Sequence, residues 1–162
     1  MKKISNRFNE IIKLIEGDTI ADIGSDHAYL PMWLYFNNKI KIAYAADISE
    51  KCVEKIKINI KKNNIPENII IPVLSDGLSY FIKNDIIKKI TDIIIAGMGG
   101  ETIAKIIESA PVENINFILQ PNSKIEFLKN FLYKNKFEII SEIKIEDKKR
   151  FYTILNAKIK PE

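Results

Sequence analysis

The chain has 162 residues, 46% of them hydrophobic and 28% charged, with a formal net charge of +4. This length suits one domain with a substantial core, and no apolar run approaches the ~20 residues needed to cross a bilayer. A single cysteine, Cys52, and a single histidine, His27, exclude an internal disulfide, a zinc-type cluster and histidine-dependent catalysis away from position 27.

The polar start Met1-Lys2-Lys3-Ile4-Ser5-Asn6 is no secretory signal, and the cysteine usage points to a reducing cytoplasm. The mild basic excess suits either a polyanionic partner or a purely solvated surface. From Asn6 to Ile15, the apolar residues Phe8, Ile11, Ile12 and Ile15 mark one helical face, which Gly17-Asp18 ends. Thr19–Ile23 reads as a short buried strand and Leu30–Phe36 as a helix. A second strand, Ile40–Ala46, closes on Asp47. Ser49 caps a long helix with Val53, Ile56 and Ile60 inward and Lys51, Lys55, Lys57, Lys61 and Lys62 outward, stopped by Asn63-Asn64.

The alternation continues with a strand over Ile69–Leu74, the turn Ser75-Asp76-Gly77, and a helix through Tyr80 and Phe81. Asp92–Ala96 is a strand ending in Gly97-Met98-Gly99-Gly100, before a helix over Glu101–Glu108. Asn116–Leu119 is a strand, Gln120-Pro121-Asn122 a loop, and Ser123–Asn135 a helix. Phe137–Ile145 and Phe151–Ile159 then flank Glu146-Asp147-Lys148-Lys149-Arg150 as a hairpin with no helix between its strands. Strand–helix units followed by a hairpin predict an α/β, Rossmann-like fold: a seven-stranded, mostly parallel sheet with one antiparallel strand. No repeat or linker interrupts residues 1–162, which read as a single domain.

The segment Thr19–Pro31 carries the most chemistry. A dinucleotide fold would show G-x-G-x-x-G after the first strand, with glycines that admit a pyrophosphate. Here only Gly24 is present; Asp26 and Tyr29 occupy the other two positions. A pyrophosphate against Asp26 would be repelled, which argues against NAD or FAD. S-adenosylmethionine fits better, because its ammonium and sulfonium tolerate carboxylates. Asp47 stands about 20 residues on, where an acid accepts hydrogen bonds from ribose hydroxyls or is a solvated loop acid. Asp76, in the turn after the third strand, is placed to take an adenine amino proton or is a simple turn acid. Gly97-Met98-Gly99-Gly100 either lets backbone pass close to a ligand or is a tight strand–helix turn.

Together these residues resemble the class I S-adenosylmethionine-dependent methyltransferases. Ala-Asp-Ile-Gly-Ser-Asp-His-Ala-Tyr-Leu-Pro at 21–31, Ala-Asp-Ile-Ser at 46–49 and Ser-Asp-Gly-Leu at 75–78 are similar to the bacterial tRNA adenine-N1 methyltransferases that modify adenine 22. So are Ala-Gly-Met-Gly-Gly-Glu-Thr-Ile at 96–103, Leu-Gln-Pro-Asn at 119–122 and Ser5-Asn6-Arg7-Phe8. The resemblance runs from about Ser5 to Ile154. It implies methyl transfer from S-adenosylmethionine to N1 of a tRNA adenine, with tRNA as partner, no membrane, no metal, a monomeric state and a cytoplasmic location. The family carries a further helical segment after the catalytic domain, and this chain's sequence stops at Glu162 without it. Other readings are a class I methyltransferase acting on a small molecule or protein, and a cofactor-binding subunit without catalysis.

On this resemblance the cofactor contacts are Asp22, Gly24, Ser25, His27, Asp47, Ile48, Asp76, Gly77, Gly97 and Met98. Asp26 is the expected catalytic residue, accepting from the exocyclic amine of an adenine turned cationic by methylation; its alternative is holding the cofactor ammonium through water. Tyr29 is placed to stack on the base or to pack against the helix, and His27 to cap the turn or touch the cofactor. Gln120 and Asn122 are expected to read the base edge or cap a helix. Arg7 is expected either to anchor the N-terminal helix across the cofactor mouth or to meet a phosphate. Because N1 lies on the Watson–Crick edge, the adenine must be unpaired or extruded. Lys148-Lys149-Arg150 reads as a solvated hairpin or a tRNA contact.

Overall fold

The computed structural model describes residues 4–110 and 114–161. Its strands are β1 (Thr19–Ile23), β2 (Ile42–Asp47), β3 (Ile70–Leu74), β4 (Asp92–Gly99), β5 (Asn116–Ser123), β6 (Phe137–Asp147) and β7 (Arg150–Ile159). The helices are α1 (Asn6–Lys13), α2 (Tyr29–Phe36), α3 (Glu50–Lys62), α4 (Ser79–Lys83), α5 (Gly100–Glu108) and α6 (Ile125–Lys134). The strand order in the sheet is β3-β2-β1-β4-β5-β7-β6. β1/β2 and β2/β3 pair in parallel, whereas β7 runs antiparallel to both β5 and β6. This is the Rossmann-like arrangement expected, with β7 as the reversed strand. No helix among the described residues is long and apolar enough to cross a membrane.

The chain divides into two compact units, Gly17–Ile94 and the segments on either side of it. In Gly17–Ile94, Ile20, Ala43, Ala45, Ile56, Ile60, Ile70 and Ile93 are buried, and α3 packs on β2 and β3. The inward face of α3 is the predicted one: Val53, Ile56 and Ile60 are buried. Its ends also follow the sequence. The Ser49 hydroxyl accepts from the Cys52 N–H at 3.4 Å, and Asn64 takes the left-handed conformation at φ 53° that ends the helix. α1 ends at Lys13 with Leu14 as its C-cap, ahead of the expected stop, and Gly17 serves packing instead. A Cβ there would stand 2.2 Å from the Thr91 hydroxyl, and its N–H donates to buried Asp92 at 2.9 Å.

In the other unit, Ile11, Ile103, Phe117, Ile118, Leu128, Leu132, Ile154 and Leu155 form the core. α1 packs on β6 and β7 and is capped by the Ser5 hydroxyl, which accepts from Phe8 N–H at 3.2 Å. Several boundaries depart from the sequence reading. β4 runs through Gly97 to Gly99, so α5 starts at Gly100. The Gln120-Pro121-Asn122 loop is instead the end of β5, and α6 starts at Ile125 rather than Ser123. The hairpin turn contracts to Lys148-Lys149, with φ 50° and 63°, so Glu146, Asp147 and Arg150 lie in the strands. Positive φ at both central residues matches the twist of paired strands, which explains how so short a turn closes two long ones. A 3₁₀ turn at Ile87–Lys89 was not legible in the sequence.

Candidate functional site

Within Gly17–Ile94, the carboxyl ends of β1, β2 and β3 bring together most of the expected cofactor residues. β1 leads into a turn held by two amides, Gly24 N–H and Ser25 N–H, donating to Ala46 O at 2.8 and 2.9 Å. Gly24 (φ 77°), Asp26 (φ 54°) and Ala28 (φ 57°) all lie in the left-handed region. For the two non-glycine residues that conformation costs energy, and such strain concentrates where a turn must aim its side chains.

Asp22 is 7% exposed and accepts from the Ser25 hydroxyl at 2.6 Å. Burial pushes its carboxyl up to about 6; the Ser25 hydrogen bond pulls against this and the Asp47 charge adds to it. Asp47 accepts from Asp26 N–H at 3.3 Å with one oxygen and from Ser49 N–H at 3.0 Å with the other. A carboxylate offers about four lone-pair sites, so each Asp47 oxygen keeps acceptor capacity for a diol. The backbone carbonyl of Asp47 accepts from Ser75 N–H at 2.9 Å, tying the ends of β2 and β3.

An open cavity of about 470 Å³ lies beside these ends, lined by Ile48, Leu74, Ser75, Asp76, Ser79, Tyr80, Lys83 and Asn84. Ile48 and Leu74 are 68% and 49% exposed, an apolar pair with a carboxylate next to it. That combination suits a flat heteroaromatic ring bearing an amino donor. Gly77 takes φ 55°, and its carbonyl accepts from the Ser75 hydroxyl at 2.8 Å, shaping the turn that presents Asp76. Of the residues that line it, Ile48 and Asp76 are among those expected from the sequence, whereas Leu74, Ser79 and Tyr80 are not. Their signal was present: the last residue of a parallel strand and the first turn of the helix after it face the same edge.

Asp26 is exposed, and its carboxylate is set among cationic and polar groups. Cys52 Sγ donates to it at 3.6 Å, His27 Nε2 lies at 3.4 Å and Lys55 Nζ at 3.9 Å. Cys52 and Lys55 sit three apart on α3, a spacing that puts both on one helical face. The His27 and Tyr29 rings stack at 5.1 Å, and Tyr29 remains 51% exposed. His27 therefore supports Asp26 and Tyr29, while its backbone carbonyl accepts from Asn59.

The remaining expected residues lie in the other unit. Gly97 is exposed with φ 82°, and Met98 is half-buried on β4. The glycine run serves packing at its far end: a Cβ on Gly100 would stand 2.3 Å from Lys124 O. Arg7 is half-buried, with its guanidinium 5.0 Å from the Tyr152 ring and 5.3 Å from the Phe8 ring. Its Nη1 donates to Gln120 Oε1 at 3.0 Å. Gln120 is 0% exposed, and its amide nitrogen donates to Pro121 O at 3.0 Å and Asn122 Oδ1 at 3.1 Å. Of the pair expected to read a base edge, Gln120 is buried and engaged, whereas Asn122 is exposed.

A family described as "Methyltransferase domain" matches residues 4–155. The chain is 34% identical over 159 residues to the tRNA (adenine(22)-N(1))-methyltransferase of Bacillus subtilis, covering 96% of this chain and 65% of that protein. It thus spans just under two thirds of that relative's length. Among solved structures, M. capricolum TrmK in complex with S-adenosyl-homocysteine superposes with a TM-score of 0.86 at 35% identity, over 98% of this chain and 70% of that one. The B. subtilis tRNA methyltransferase TrmK superposes with a TM-score of 0.86 at 31% identity, over 98% of this chain and 67% of that one.

Proposed function

This chain belongs to the tRNA (adenine-22-N1)-methyltransferase family, and from that membership we propose that it binds S-adenosylmethionine and methylates N1 of adenine 22 in tRNA. The observation that carries the reading is the set of acids at the ends of three adjacent parallel strands, Asp22, Asp47 and Asp76, around a turn too acidic for a pyrophosphate. The donor set fits the cofactor. Asp22 pairs with the ammonium, Asp47 takes the ribose hydroxyls, and Asp76 with Ile48 and Leu74 holds the adenine. Gly24, Ser25 and Gly77 shape the backbone that these groups hang on.

When bound, the cofactor supplies an electrophilic methyl on sulfonium. The N1 lone pair of adenine lies in the ring plane and is free at neutral pH, so the protein's first contribution is alignment. Tyr29 offers a half-exposed aromatic face, and stacking of a base on such a ring is worth ~1–3 kcal/mol. Methylated adenine is cationic and its exocyclic amine more acidic. The Asp26 carboxylate accepts that N–H, stabilises the charge as it develops, and is the proton's first acceptor. Lys55 Nζ at 3.9 Å and the Cys52 thiol at 3.6 Å hold that carboxylate in place.

Unmodified tRNA and labelled S-adenosylmethionine, followed by nucleoside digestion, test the reading directly. Label in N1-methyladenosine is the expected result; label in no nucleoside at high enzyme overturns it. Binding of tRNA should also weaken steeply with added salt, because phosphate contacts release counterions. Absence of any salt-dependent tRNA binding would instead indicate a small-molecule or protein substrate. Asp26→Asn is expected to lower turnover roughly 100-fold, the size of a lost charge-stabilising group, while the dissociation constant for S-adenosylmethionine holds. Equal loss of both would move Asp26 to the cofactor.

A further inference from the structure

We propose that Arg7 is a positioning residue: acting through buried Gln120, it determines which end of the Asn122 amide faces outward to the RNA. The inference rests on tRNA being the substrate. It follows from which atoms along the chain can only donate and which can only accept.

A guanidinium only donates. Arg7 Nη1, at 3.0 Å, therefore requires Gln120 to turn its carbonyl oxygen toward it. The Gln120 amide nitrogen then faces the other way and donates to Pro121 O and Asn122 Oδ1 at 3.0 and 3.1 Å. Gln120 is wholly buried, so the opposite orientation would set donor against donor at Arg7 and acceptor against acceptor at both other contacts. Each such mismatch costs ~1–3 kcal/mol in a buried setting. Arg7 cannot turn away easily either. Its guanidinium is flanked by the rings of Phe8 and Tyr152, and Asp147 accepts from its backbone N–H at 3.4 Å.

The consequence appears at Asn122. With Oδ1 engaged by Gln120, the exposed end of the amide is Nδ2, a donor. Nδ2 lies 3.9 Å from where a Cβ on Gly97 would stand, and Gly97 is itself exposed. Asn122 thus offers a hydrogen-bond donor to an acceptor of the tRNA (a ring nitrogen, a 2′-hydroxyl or a phosphate oxygen). Arg7, expected from sequence to anchor the N-terminal helix or to meet a phosphate, acts two residues away.

Three variants separate orientation from folding. Arg7→Met keeps an apolar stem between Phe8 and Tyr152 but removes the donor. Gln120→Glu keeps a partner for Arg7 but removes the amide donors, freeing Asn122 to turn over. Arg7→Lys restores a donor to Gln120. We expect kcat/KM for tRNA to fall about tenfold in the first two, equivalent to one lost hydrogen bond, with the S-adenosylmethionine dissociation constant unchanged and most of the loss recovered by Arg7→Lys. Unaltered kcat/KM in a wild-type-active background overturns the inference. An independent arm uses NMR of the cofactor-free protein. The Asn122 side-chain amide signals should move in Arg7→Met, carried through the intervening Gln120. If they stay in place, the coupling does not exist, whatever the activity. If they move but the wild-type protein transfers no methyl to tRNA, the functional reading falls and the internal linkage stands.

Discussion

Asp22→Asn is expected to make the cofactor-free protein more stable near pH 8 while lowering its affinity for S-adenosylmethionine by at least roughly 100-fold, the scale of an unpaired buried charge. Asp22 is 7% exposed, and burial raises its carboxyl from 3.8 to about 6. A group whose folded value lies above its unfolded one binds its proton more tightly in the folded state. Stability is therefore greatest below the unfolded value and declines as pH rises through the window from about 4 to about 6. The shift of roughly two pH units corresponds to about 3 kcal/mol lost once the carboxylate is ionised. Asparagine keeps an acceptor for the Ser25 hydroxyl without that charge, so the variant should lack the decline. The proposed ammonium partner explains why a costly charge is kept at this site. In the wild-type protein, cofactor affinity should fall as pH drops below about 6. Thermal melts from pH 4 to 8, with and without cofactor, and calorimetric titration measure both effects. Undiminished affinity in the variant would remove Asp22 from the cofactor site.

Gly100→Ala is expected to cost about 3 kcal/mol, the upper range for overpacking, and to lower the melting temperature by about 6–12 °C for a domain of this size. A Cβ at this position would stand 2.3 Å from Lys124 O and 3.0 Å from Ser123 O. Those atoms are backbone, at the junction where β5 passes into α6 through Lys124 with φ 56°. No side-chain rotation relieves the overlap, so α5 or the junction must move. Gly97→Ala is the natural control. The space around it is open and its nearest neighbour is 3.9 Å away, leaving only the cost of φ 82°, about 1–2 kcal/mol. Equal destabilisation of the two variants would mean that the α5–α6 junction yields readily.

Local patterns carried far in this chain. The five residues of β1 were read at their observed limits, because a short apolar run followed by Gly24 has few other conformations open to it. α3 was read with its cap, its buried stripe and its stop, since each depends on residues within one or two turns. The acids at the strand ends were found for the same reason: β-strand, turn and helix in sequence place Asp22, Asp47 and Asp76 at one edge whatever the remaining chain does.

What only the tertiary structure decided involves partners far apart in sequence. Gln120-Pro121-Asn122 has the composition of a loop, yet it extends β5, and Gln120 and Pro121 are buried. Propensity cannot report burial set by neighbouring elements. Gly17 and Gly100 looked like punctuation, and their near neighbours Thr91 and Lys124 show that close approach demands them. The sequence by itself made the sheet and the acidic turn legible, and with the turn an argument against a pyrophosphate cofactor. The structure supplied the Arg7–Gln120–Asn122 chain of hydrogen bonds, on which the proposed positioning role of Arg7 rests. Residue identity states what a group can donate or accept, whereas burial and distance determine which of those capacities remain for a ligand.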